Sequence, residues 1–192
     1  METCGVILAG GKSTRMGTNK ALLKIDNRTV IEKVASELQL VCDKVIIVTN
    51  DPDDYRFLDF DLIGDRYINK GPLAGIESAM YHYVANQYII AACDMPFINR
   101  DIYRYLINNL TSYDAVVPKY GNRVHPLSGI YRRNVLKNIQ EQIENENLKI
   151  RSFFAHINIH IIDKFNNIDK TLLDYHFFNM NNPEEYQQAK RS

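Results

Sequence analysis

The residues best suited to chemistry stand at the start of the chain. An apolar run closing at Ile7-Leu8 leads into Ala9-Gly10-Gly11, and Ser13, Thr14, Arg15, Gly17 and Lys20 follow. Glycines lack a Cβ, so successive N–H groups can turn toward one point and form a nest for an anion. Arg15 can grip a phosphate with two parallel hydrogen bonds, and Lys20 can add a point charge. A tight strand-to-helix turn with two surface cations would use the same residues. Strand, glycine pair, arginine and lysine in one short stretch favour the phosphate cradle. Two familiar phosphate motifs do not fit. Gly11-Lys12-Ser13 has no glycine at position 6 to open a P-loop, and the Gly-x-Gly-x-x-Gly dinucleotide fingerprint is missing.

Asp94 is the next candidate. It stands just past the apolar run Tyr88-Ile89-Ile90-Ala91-Ala92 and is followed by Met95-Pro96. A carboxylate at a strand end suits magnesium, which takes one or two carboxylates and leaves its remaining positions to water and substrate phosphates. An Asx-type turn capping the next helix is the plainer use of the same residue. His125, in Arg123-Val124-His125-Pro126-Leu127, is a lone histidine of a kind that is usually structural or exposed. Asn179 and Asn181 are spaced by one, so an extended backbone would point them the same way. His156 and His160 have a spacing that would suit a metal on a helix, but the isoleucines between them alternate as in a strand, which argues against zinc.

These side chains need elements to hold them. The run to Leu8 reads as a buried strand. Thr29 reads as a helix N-cap with Glu32 as its capping-box partner, and Val30, Ile31, Val34 and Leu38 form the helical stripe, with Val41 a candidate to extend it. Lys44 to Thr49 is apolar on both faces, as in a parallel sheet, and Asn50-Asp51-Pro52 ends it. The first fifty residues are therefore a βαβ unit, whose ligands bind at the carboxyl ends of the strands. Asp61 to Asp65 reads as a short strand ending in a carboxylate. Gly71-Pro72 opens a helix through Ile76 and Met80, with Pro72 at its first position. Gly75 inside that helix costs about 1 kcal/mol against alanine, which either a close approach or loose helix packing would explain. Further helices are expected over 100–110, around 135–143 and from Pro183. Strands are expected over 115–118, over 156–161 with the isoleucines inward, and over 177–181.

Composition bounds the class. The 192 residues are 45% hydrophobic and 24% charged, and 23 basic residues balance 23 acidic ones. One domain is expected, with no basic excess for nucleic acid. No apolar run reaches the ~18 residues of a membrane span. Three cysteines without a Cys-x-x-Cys pair suit a reducing compartment, so a cytoplasmic protein is expected.

Four motifs in order carry a resemblance: Leu8-Ala9-Gly10-Gly11-x-Ser13-x-Arg15-Met16-Gly17-x-x-Lys20, Gly71-Pro72-Leu73-Ala74-Gly75, Cys93-Asp94-Met95-Pro96 and Asn179-x-Asn181-x-Pro183-Glu184. Together they resemble the molybdenum cofactor guanylyltransferases, Rossmann-like nucleotidyltransferases. The resemblance implies one α/β domain with a mostly parallel sheet flanked by helices, the N-terminal half for nucleotide and the C-terminal half for acceptor. It implies transfer of GMP from GTP to the molybdopterin cofactor, with release of pyrophosphate. Arg15, Lys20 and Asp94 would be catalytic, with Mg2+ on Asp94. Leu8, Ala9, Gly10, Gly11, Lys20, Asn50, Asp65, Gly71, Pro72, Leu73 and Asp94 would bind the nucleotide, Asp65 and Asn50 near the guanosine. His125, Asn179 and Asn181 would meet the acceptor, since amides can both donate to and accept from a pterin edge. Partners would be the two substrates and, transiently, cofactor insertion proteins or molybdoenzymes; no nucleic acid or membrane is expected. Cytidylyl or sugar-phosphate transfer on the same fold, and a non-catalytic GTP-binding domain, are the alternatives. The chain departs from the family pattern at Asn19, where many relatives have Asp, and at Asn182, where Thr is usual.

Overall fold

The computed structural model describes residues 1–10 and 19–191. Gly11, Arg15 and the rest of the 11–18 stretch lie outside the described residues.

The chain enters through β1 (Thr3–Leu8), every residue of which is buried. Past a short 3-10 turn at Lys20–Leu22 come β2 (Lys24–Ile25) and β3 (Arg28–Thr29), a small antiparallel hairpin. Asp26 and Asn27 turn it with φ of 52° and 63°, the left-handed pair a two-residue hairpin needs. Thr29 then caps α1 (Val30–Gln39) in the expected capping box with Glu32. There follow β4 (Lys44–Val48), β5 (Asp61–Ile63), α2 (Pro72–His82), β6 (Gln87–Ala92) and α3 (Arg100–Leu110). The second half holds β7 (Ala115–Tyr120), β8 (Arg123–Val124), β9 (Ile130–Arg132), α4 (Leu136–Glu144), β10 (Ile159–Ile162), α5 (Lys170–His176) and α6 (Pro183–Ala189).

The main sheet runs β10-β7-β9-β6-β1-β4-β5, with β8 paired to β7. β1 lies parallel between β4 and β6, β5 is parallel to β4, and β10 to β7. β9 alone runs antiparallel to both its neighbours, β6 and β7, in this ladder. The sheet is therefore mostly parallel, as expected. Its central strands alternate between two cores. Ile7, Ile47, Ile89 and Ala91 face one side, where α1 and α3 pack. Val6, Leu8, Ile46, Val48 and Ile90 face the other, under α2 and α4. A sheet covered on both faces explains why β1, β4 and β6 read as unbroken apolar runs.

Two expectations fail near the C-terminus. Residues 177–181 form no strand; α5 ends at His176 and an irregular segment leads to α6. The strand over 156–161 begins only at Ile159, because His156 closes a 3-10 turn from Ile150. Its faces are also reversed at the far end. Ile161 is exposed, while Ile162 is buried and the half-buried His160 stacks on Tyr113 at 4.7 Å. β10 is an edge strand covered unevenly on both sides, so alternation alone misassigned its inner face.

Candidate nucleotide-transfer site

The carboxyl ends of β1, β4, β5 and β6 carry the motif residues onto one rim. Ala9 N–H donates to the Val48 carbonyl at 2.9 Å, and Cys93 N–H to the Leu8 carbonyl at 3.3 Å. These bonds extend the parallel ladder and fix where Gly10 and Asp94 leave the sheet.

Lys20 is held from two sides. Asn19 caps its 3-10 turn by accepting from Ala21 N–H, and its amide donates to the Asp54 carboxylate at 3.0 Å and the Tyr55 hydroxyl at 2.9 Å. Tyr55 in turn donates to the Ala9 carbonyl at 3.2 Å. The Lys20 ammonium donates to Asn181 Oδ1 at 3.1 Å. Asp94, half-buried, has its carboxyl raised above the ordinary range by burial, while the Lys20 charge pulls it back and Glu185 pushes it up. Met180 N–H donates to the Asp94 carbonyl at 2.9 Å. Lys20, Asp94 and Asn181 are thus brought together although they come from three distant motifs. Asn179 sits beside Met180 on the same segment. A half-buried oxygen donor, with no other side chain hydrogen-bonded to its carboxylate among the described residues, suits a hard divalent cation. Three or more clustered ligands are not found among those residues.

Asn50 and Asp65 form a second cluster. Asn50 Nδ2 donates to Asp65 Oδ2 at 2.8 Å, and Asp65 N–H returns to Asn50 Oδ1 at 2.9 Å. Burial raises the Asp65 carboxyl, and the Asn50 bond lowers it. Beneath it runs the start of α2. Gly71 takes φ +70° and ψ −163°, a conformation open to glycine, and Pro72 occupies the first turn. Leu73 is fully buried and packs in the core rather than lining the rim. At Gly75 a Cβ would stand 2.9 Å from Leu8 Cδ2 and 3.5 Å from Asp65 Oδ1. The close approach that this glycine implied is therefore the packing of α2 on β1.

His125 does not join either cluster. Its ring packs on Phe177 at 4.5 Å, on the segment that leads to Asn179 and Asn181, and burial lowers its pKa. The adjoining His176 is wholly buried. Its Nδ1 accepts from Asn99 N–H at 2.9 Å, so Nε2 carries the proton toward Ser128 Oγ at 2.9 Å. Ser128 then donates to Tyr103, and Tyr103 to the Ile90 carbonyl. This network ties the tail to the sheet; no sequence motif announces it. The Asn19–Asp54–Tyr55 clamp was also missed, although Asn19 stood out as a departure.

Taken together, an open, mostly parallel sheet with a lysine and a carboxylate at its carboxyl rim defines an α/β enzyme of the nucleotidyltransferase class. Residues 5–161 match the model of the MobA-like NTP transferase domain, and the chain belongs to that family. A Carboxydothermus hydrogenoformans protein named "Probable molybdenum cofactor guanylyltransferase" is 36% identical over 183 residues, 95% of this chain and 92% of its own. A Clostridium perfringens protein of the same name is 37% identical over 97% of this chain and 96% of its own. The crystal structure of molybdopterin-guanine dinucleotide biosynthesis protein A from Archaeoglobus fulgidus shares the fold. It has a TM-score of 0.84 at 24% identity and covers 98% of this chain and 97% of that one. Among the described residues no helix is long and apolar enough to cross a membrane.

Proposed function

We infer that the protein transfers GMP from GTP to the molybdopterin cofactor, forming molybdopterin guanine dinucleotide and pyrophosphate. The observation that carries this reading is the meeting of Lys20, Asp94 and Asn181 at one rim of the sheet, in a chain whose relatives bear the guanylyltransferase name. The acceptor's terminal phosphate oxygen bonds to the α-phosphorus of GTP, and the bond from that phosphorus to the β-phosphate oxygen breaks. The nucleophile arrives ionised, so no side chain has to take its proton. Positioning and charge neutralisation do the work.

In this reading Lys20 neutralises the triphosphate while Asn181 holds its ammonium and the Asn19 clamp anchors its turn. Arg15, Gly10 and Gly11 contribute further donors to the phosphates. Asp94 holds Mg2+, which when bound offsets charge on the phosphate oxygens. The burial that raises the Asp94 carboxyl also leaves it short of partners that a cation supplies. Asp65, braced by Asn50, accepts from the donor edge of guanine. Asn179 and Asn181, on the segment before α6, and His125, packed on Phe177 of that segment, meet the acceptor. Three free cysteines suit a reducing cytoplasm, and the product passes by transient contact to the proteins that use it.

Melting temperature with magnesium and each of GTP, CTP, ATP and UTP tests the reading. GTP alone should stabilise the fold, by about 2.7 kcal/mol at a hundredfold excess over its dissociation constant. A shift with CTP in place of GTP would discard the guanine assignment. Asp94→Ala should keep the fold and lose turnover; normal activity at limiting magnesium would remove Asp94 from the metal's site.

A further inference from the structure

We propose that Glu77 and Ser78, adjacent on α2, are positioning residues that set base selectivity by gripping the residue behind Asp65. The proposal rests on the reading of Asp65 as the guanine acceptor. Both side chains have no exposed surface. Ser78 Oγ accepts from Arg66 N–H at 2.7 Å. Glu77 Oε1 accepts from the Arg66 guanidinium and, at 2.8 Å, from Gln140 Nε2 on α4. The same guanidinium lies 3.3 Å over the ring of Tyr81, one turn further along α2. Arg66 is therefore fixed through its backbone, its charge and its flat face.

Stability does not account for this arrangement. Glu77 Oε2 is buried with no hydrogen-bond partner among the described residues. A half-satisfied buried carboxylate is costly, and apolar residues in place of a buried ion pair are often at least as stable. What the pair supplies is geometry. Residues 64–71 form neither helix nor strand, and Asp65 lies on them. Asn50 holds Asp65 from the front, and Glu77 with Ser78 holds Arg66 from behind. The peptide between Asp65 and Arg66 is thereby pinned at both ends, which fixes the aim of the carboxylate. Two-pronged acceptance from guanine's ring N–H and exocyclic amine depends on that aim, whereas a purine lacking the amine uses one prong.

Calorimetric binding of GTP and ITP, with magnesium, to the full chain separates the possibilities. ITP lacks the exocyclic amine. Wild type should bind GTP about tenfold tighter than ITP, the worth of a hydrogen bond to a charged acceptor. In Ser78→Ala and in Glu77→Gln the GTP affinity should fall while ITP binding holds, shrinking the ratio by about threefold or more. Equal loss of both nucleotides, or an unchanged ratio, would reduce the two residues to scaffold and overturn the proposal. Should Glu77→Gln fail to fold, Ser78→Ala, which deletes one hydroxyl, decides the matter. A wild type with no preference for GTP, or an Asp65→Asn variant that keeps the wild-type preference, would instead fail the reading of Asp65. That failure shows in proteins whose grip is intact and is distinct from the other.

Discussion

A histidine with no exposed surface must stay neutral for the fold to hold, and His176 is kept so by burial, with a smaller push from His125, down to a pKa of about 3 from an ordinary 6.5. Its folded pKa is depressed, so the unfolded chain binds a proton that the folded chain refuses. The stability it contributes is complete above 6.5 and drains as pH falls from there toward 3. The slope is about 1.4 kcal/mol per pH unit, hence about 2 kcal/mol lost from this group by pH 5. Urea unfolding of wild type and His176→Gln at pH 7 and pH 5 checks this. The variant should be weaker at pH 7 and lose less on acidification; equal losses would mean that His176 does not govern the acid limb. Asn19 teaches a related lesson. Its amide donates to the Asp54 carboxylate, which an aspartate could not do while charged. The asparagine is thus matched to a residue 35 positions away. The sequence showed the departure and hid its partner.

The elements around the rim depend on two glycines for different reasons. Gly71 has open space where a Cβ would go, yet its φ of +70° strains any other residue. Gly75 has ordinary helical geometry but Leu8 Cδ2 at 2.9 Å from a would-be Cβ. Gly71→Ala should therefore cost about 1–3 kcal/mol through backbone strain. Gly75→Ala should change stability by less than about 1 kcal/mol, because gained helix propensity offsets the shift of a terminal methyl. Gly75→Val should cost about 1–3 kcal/mol by overpacking against Leu8 and Val48. Denaturant midpoints rank the three, and Gly75→Ala proving the worst would refute the distinction. Elements such as α1, α2 and β4 were legible because cap, proline and apolar period agree locally. The 177–181 segment was not. Its apolar residues pack as an aromatic cluster, with Phe177 against Tyr120, His125 and Phe165, and that cluster is assembled from distant parts of the chain. Of the site, each motif was readable as a stretch. The pairings Asn50–Asp65 and Lys20–Asn181 were not, because they form across the fold.

At the scale of the molecule, the end of the chain closes on its beginning. Lys20 meets Asn181 across 161 residues, Met180 is bonded to Asp94, and the Tyr186 hydroxyl donates to the Lys24 carbonyl at 2.9 Å. Asn182 and Glu185 fix α6 by a capping box, and Glu185 also accepts from Asn181 N–H, so the segment that presents Asn181 is itself held. On the proposed reading, the nucleotide half and the acceptor half would meet at this seam. If the halves worked separately, Asn181→Ala would leave GTP binding untouched and lower turnover through the acceptor alone. The geometry predicts otherwise. A lysine has three donors, so Lys20 can keep Asn181 while engaging phosphate, and loss of one hydrogen bond of about 1 kcal/mol should weaken GTP binding roughly fivefold. Titration of wild type and Asn181→Ala with GTP and magnesium, without acceptor, measures this directly. An unchanged affinity would confine Asn181 to the acceptor, and a reduced one would make the seam a shared wall of both substrates' sites.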